Sequence, residues 1–150
     1  MTEKANSNID GFLKTALKLL SVRDYFSCEL KRKLTQKGAA IAEVEKVMEY
    51  IYEYRYIDDE STLRKYSDEL AVKSKGFNYL KKKLFEKGCS ELLGIFDLRK
   101  FYTKDMEMAS ALKWIEKHGK PDMETVQRKL ASRGFSSEII YEVSYPGKIR

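Results

Sequence analysis

Leu30-Lys31-Arg32-Lys33-Leu34-Thr35-Gln36-Lys37-Gly38 decides the fold, because the chain writes it three times. It returns as Leu80-Lys81-Lys82-Lys83-Leu84-Phe85-Glu86-Lys87-Gly88 and as Val126-Gln127-Arg128-Lys129-Leu130-Ala131-Ser132-Arg133-Gly134. The template is apolar, three polar, apolar, two variable, basic, Gly. Apolar residues at i and i+4 share one helix face, the basic residue suits the negative end of the helix dipole, and Gly supplies a left-handed C-terminal cap. Each copy therefore ends a helix. The glycines lie 50 and 46 residues apart, a period that fits one supersecondary unit per repeat.

Working outward, each basic helix is followed by another apolar-periodic stretch: Val44, Val47, Met48 and Ile51; Leu92, Ile95 and Phe96; Ile139, Ile140 and Val143. Each is also preceded by one: Leu13, Leu17 and Leu20; Leu63, Tyr66 and Leu70; Ala111, Leu112 and Ile115. Asp10, Asp58 or Asp59, and Thr103 are placed to cap the first helices, Pro121-Asp122 opens the third basic helix, and Phe135 is set to staple onto Ile140 across Ser136. Period-two alternation is missing over any useful length. The expectation is an all-α chain of three tandem three-helix repeats, residues 9–56, 57–101 and 102–145, stacked into an elongated, curved body because units of this size bury too little surface alone. The end Tyr145–Arg150 is expected to fray.

Of the 150 residues 43% are hydrophobic and 35% charged, with a net charge of +6 and a single histidine. That supports a folded core and an anionic partner, and it disfavours histidine-dependent catalysis, since His118 sits in the polar string Glu116-Lys117-His118-Gly119-Lys120. With no oriented acid, base and nucleophile, no phosphate loop and no His/Cys metal cluster, the chain reads as a non-enzyme without cofactor or metal site. Cys28 and Cys89, far apart and outside any Cys-x-x-Cys, read as reduced thiols of a cytoplasmic protein, and neither a signal peptide nor a membrane span is expected.

The candidate contact residues are the basic ones. Lys73, Lys75, Lys81, Lys82 and Lys83 fall in an acid-free stretch interleaved with Phe77 and Tyr79, a combination able to meet phosphates and stack bases. Lys31, Arg32, Lys33 and Lys37 form a second patch, Arg128, Lys129 and Arg133 a third, and Lys87 closes the middle copy. Lysine between core leucines is also simply a soluble helix former. Three patches at one repeat position favour a shared role, with the patches in a row if the repeats are related by similar rotations. The run Tyr50, Tyr52, Tyr54, Tyr56 reads as partly buried, with an aromatic partner patch as the alternative.

An ordered set of pieces resembles the RecX regulators of the bacterial RecA recombinase. The pieces are Ala16-Leu17-Lys18-Leu19-Leu20 with Arg23, Glu29-Leu30-Lys31-Arg32-Lys33-Leu34 with Lys37-Gly38, Tyr56-Ile57-Asp58-Asp59 with Tyr66, Lys75-Gly76 with Leu80, Leu84 and Lys87-Gly88, and Lys129–Phe135. The resemblance implies a cytoplasmic monomer of tandem three-helix repeats that binds RecA filaments on single-stranded DNA and inhibits ATP hydrolysis and strand exchange, within recombinational DNA repair and the SOS response. A single-stranded nucleic-acid binder acting without recombinase contact is the alternative. Phe26 departs from the family's usual Ser at the start of the second helix, so the cap is expected from Asp24 or Ser27.

Overall fold

The computed structural model describes residues 3–119 and 121–147. Lys148, Ile149 and Arg150 of the expected frayed end lie outside them. Among the described residues there are nine α-helices, one 3₁₀ turn and no strand. They run α1 (Glu3–Val22), α2 (Ser27–Gln36), α3 (Ile41–Glu53), α4 (Asp59–Val72), α5 (Phe77–Glu86), α6 (Leu92–Ile95), a 3₁₀ turn at Leu98–Lys100, α7 (Lys104–Lys117), α8 (Met123–Ser132) and α9 (Ser137–Ser144). The basic helices are α2, α5 and α8, and their closing glycines all adopt positive φ, +100° at Gly38, +77° at Gly88 and +83° at Gly134. That is the left-handed geometry the repeated Lys/Arg-Gly step requires.

The chain forms two compact units. The first runs to Leu63 and also takes in Lys87–Cys89; the second holds Arg64–Glu86 and the chain from Ser90 onward. In the first, Ala16 of α1, Leu30 and Leu34 of α2, and Val44, Val47, Met48 and Ile51 of α3 form one buried cluster. In the second, Ala111 and Trp114 of α7, Val126 and Leu130 of α8, and Phe135, Ile139 and Val143 form another. In α2, α3, α8 and α9 the cluster is the apolar face read from sequence, turned inward. In α1 the buried residue is Ala16, with Leu13, Leu17 and Leu20 only partly buried against it, and in α7 Trp114 joins Ala111 while Leu112 is left 50% exposed.

Local details depart from expectation in four places. Asp10 lies inside α1 and does not cap it, because the helix starts at Glu3. The segment after Gly88 makes only the single turn of α6, with Ile95 left 65% exposed; Gly94 and the Asp97 side chain, which caps the following 3₁₀ turn by accepting from Arg99 N at 3.2 Å, divert the chain there. At the start of α2 the Ser27 hydroxyl bonds Asp59 and not its own helix; Asp59 Oδ1 accepts the Ser27 N–H at 2.7 Å and Glu29 Oε1 accepts the Phe26 N–H at 3.4 Å. Finally, Cys28 and Cys89 are not free thiols. They form a disulfide, with Cα atoms 5.5 Å apart across 61 residues of sequence. Sequence spacing could not show this, because the turn after α5 folds back onto α2. Asp58 does cap α4, accepting from Ser61 N at 3.1 Å, and Thr103 caps α7, accepting from Met106 N at 3.1 Å. Asp122 caps α8 through Thr125 N at 3.0 Å.

Candidate interaction surface

The basic helices owe their placement to docking turns. In the second unit the Arg133-Gly134-Phe135 turn that ends α8 lies on the start of α5. Gly76 N donates to Arg133 O at 3.0 Å, Asn78 N to Gly134 O at 2.8 Å, and the Arg133 side chain donates to the carbonyls of Ser74 (2.7 Å) and Lys73 (2.9 Å). Approach is so close that a Cβ on Gly134 would stand 2.6 Å from Tyr79 N, and one on Gly76 would strike the Phe135 backbone. The carboxylate of Glu107, fully buried, accepts from Phe77 N (2.9 Å), Ser136 N (2.8 Å), Ser136 Oγ (2.8 Å) and Arg99 (3.0 Å). One side chain thus caps α5 and α9 together. Ser136 sits at the expected N-cap, yet its hydroxyl serves Glu107 in place of its own helix.

This anchoring displays the aromatic and basic residues of α5 as paired layers. The ammonium groups of Lys75 and Lys83 lie over the Tyr79 ring, 4.8 and 5.3 Å from its centre. Arg99 (3.8 Å) and Lys81 (5.2 Å) lie over the Phe77 ring, which makes an edge-to-face contact with Tyr102. Lys81 and Lys82 are exposed; Lys82 and Lys83 also reach Glu86, at 4.0 and 3.1 Å. Lys73 pairs with Glu69 at 2.6 Å. Arg128 and Lys129 are exposed on α8, whereas Arg133 serves the docking turn. The sequence reading missed Arg99 and Glu107. Neither stands in the repeated template, and only the fold brings them to Phe77.

In the first unit Lys31, Arg32 and Lys33 are exposed along α2 and Lys37 at its end. Lys87 instead turns to Glu29 (3.2 Å), which also takes a 2.7 Å bond from Arg23. Burial works against the Glu29 charge, but the Arg23 hydrogen bond and the Lys87 charge prevail, so the carboxyl sits below the usual range. Of the tyrosine run, Tyr50 is half-buried, meets Tyr54 in a tilted contact with centres 4.5 Å apart and stacks with Tyr56 at 6.4 Å, while Tyr52, Tyr54 and Tyr56 are exposed.

His118 stacks on Trp114 at 4.2 Å and bonds the Trp114 carbonyl. Among the described residues no group of three or more His, Cys, Asp or Glu could hold a metal ion, and no helix is long and apolar enough to cross a membrane.

Residues 13–50 match the family described as RecX, first three-helix domain. The regulatory protein RecX of Vibrio vulnificus is 47% identical over 45 residues, 30% of this chain and 29% of that one. The regulatory protein RecX of Salmonella newport is 26% identical over 87% of this chain and 88% of its own length. The crystal structure of RecX from Lactobacillus salivarius superposes with a TM-score of 0.68 at 18% identity, covering 92% of this chain and 95% of that one. The Vibrio and Salmonella relatives are named as regulatory proteins.

Proposed function

From the membership of this chain in the RecX family we propose that it regulates a RecA recombinase by binding its filament on single-stranded DNA, lowering ATP hydrolysis and strand exchange without catalysis of its own. The observation that carries this reading is the α5 face, where Lys75, Lys81, Lys83 and Arg99 are arrayed around Tyr79 and Phe77. Fixed cations beside rings suit a partner that offers phosphates, bases and acidic protein surface together. Lys31, Arg32, Lys33, Lys37, Arg128 and Lys129 add charge on the other basic helices, and Lys87 and Arg133 hold the turns that present them. The protein acts in the cytoplasm, as a monomer.

The test is a pair of triple reversals. Lys81, Lys82 and Lys83 to Glu should abolish suppression of RecA ATP hydrolysis with helicity retained, while Lys14, Lys18 and Lys113 to Glu, exposed and outside the basic helices, should change it little. Both triples take the net charge from +6 to 0. Equal inhibition curves would show that total charge and not position governs. The alternative, single-stranded DNA binding without recombinase contact, is favoured by the same rings. It requires equal affinity for naked DNA and for the filament, with a log-log salt slope of about −0.7 per phosphate contacted.

A further inference from the structure

The start of α2 is tied to distant residues at three consecutive positions. Ser27 bonds Asp59 through its N–H at 2.7 Å and its hydroxyl at 2.5 Å, Cys28 is joined to Cys89, and Glu29 pairs with Lys87 at 3.2 Å. Two of the three ties hold the Lys87-Gly88-Cys89 turn. The equivalent turn of the second unit is held by backbone hydrogen bonds from Gly76 and Asn78 and by Arg133, with no covalent bond. A covalent link therefore stands at one of two similar docking turns, in a fold that needs none at the other.

We infer that the Cys28–Cys89 bond is a reversible thiol–disulfide switch, which sets how firmly the Lys87-Gly88-Cys89 turn is fastened to α2. The exchange partner is a small thiol and its disulfide. In reduction a thiolate attacks the sulfur of Cys28, 7% exposed where Cys89 is fully buried. The protein S–S bond breaks, Cys89 leaves as thiolate and takes a proton from water, and a mixed disulfide forms at Cys28. A second small thiol releases Cys28, so two small thiols become one small disulfide and the protein gains two thiols. Oxidation is the reverse. Because both sulfurs are shielded, exchange proceeds through brief opening of the turn. The ties at Ser27 and Glu29 do not depend on the sulfur, so reduction loosens the turn and leaves the helices in place. Closing a loop of this length restricts the unfolded chain considerably, which makes the oxidised form the more stable.

The full chain is equilibrated in graded mixtures of glutathione and glutathione disulfide, quenched with acid, alkylated and weighed, and the same samples are melted. The expected result is loss of two alkylatable thiols together as the mixture becomes oxidising. It comes with a rise in Tm of roughly 10 °C and the same helical circular dichroism in both forms. Cys28→Ser and Cys89→Ser should melt like the reduced protein at every mixture. The inference is overturned if both thiols stay alkylatable in the most oxidising mixture, if the two forms melt together, or if reduction abolishes helicity. The wild-type titration decides the matter even where a serine variant fails to fold.

Discussion

The two docking turns do the same task with different chemistry. On α5, the Arg133-Gly134-Phe135 turn is held by main-chain hydrogen bonds, and both Gly76 and Gly134 must lack a side chain for the backbones to meet. On α2, the Lys87-Gly88-Cys89 turn is held by side chains: a disulfide to Cys28 and an ion pair to Glu29. There a Cβ on Gly88 would meet only the flexible Arg32 side chain, at 3.1 Å. Each helix start is also capped by a carboxylate from the helix after next: Glu107 of α7, fully buried with four donors, for α5, and Asp59 of α4, only half-buried and serving Ser27, for α2. Recurrence in the fold is thus recurrence of task. The atoms that perform it are interchangeable.

The carboxylates give the sharpest way to break this comparison. Glu107→Ala should cost about 3–5 kcal/mol, because it strands the buried Arg99 contact and two helix-start N–H groups at once. Asp59→Ala should cost only about 1 kcal/mol, the ordinary worth of a cap. Urea titrations of both variants measure the difference, and equal losses would show that burial does not separate the two. A smaller effect is expected at the glycines. Gly76→Ala should cost about 2 kcal/mol through the forced shift of the Phe135 backbone. Gly11→Ala, inside α1 with open space around the new methyl group, should stabilise by roughly 0.5–1 kcal/mol.

The smallest effect expected is a pH dependence specific to α2. Glu29 has its carboxyl held below the usual range, so the stability it adds is fully present above the ordinary pKa of about 4.3 and fades as pH falls through its lower folded value. Glu29→Gln should therefore be less stable than wild type at neutral pH and should converge with it in acid. Unfolding midpoints between about pH 3 and pH 6 track that convergence; parallel curves would deny Glu29 a charged role.

The helices and their closing glycines were legible because i, i+4 leucines and a Lys/Arg-Gly step are local signals, and Gly38, Gly88 and Gly134 fulfil them in the left-handed region. The basic and aromatic residues of α5 were legible for the same reason. What escaped the sequence is long-range. Asp59 looked like a cap for its own helix and instead caps α2, while Cys28 and Cys89 looked isolated until the turn brought them together. Arg99 and Glu107 carry no repeat signature. Such residues earn their roles only from the tertiary path, which no window of a dozen residues contains.

Capping from a distance also bears on the order in which the chain can settle as it leaves the ribosome. When α2 has been made, its first N–H group waits 32 residues for Asp59, and Cys28 waits 61 for its partner. The start of α5 waits 30 residues for Glu107. Each segment emerging N-terminus first therefore remains provisional until a later one arrives to close it, so that the nascent protein becomes secure in arrears, one stretch behind its own synthesis.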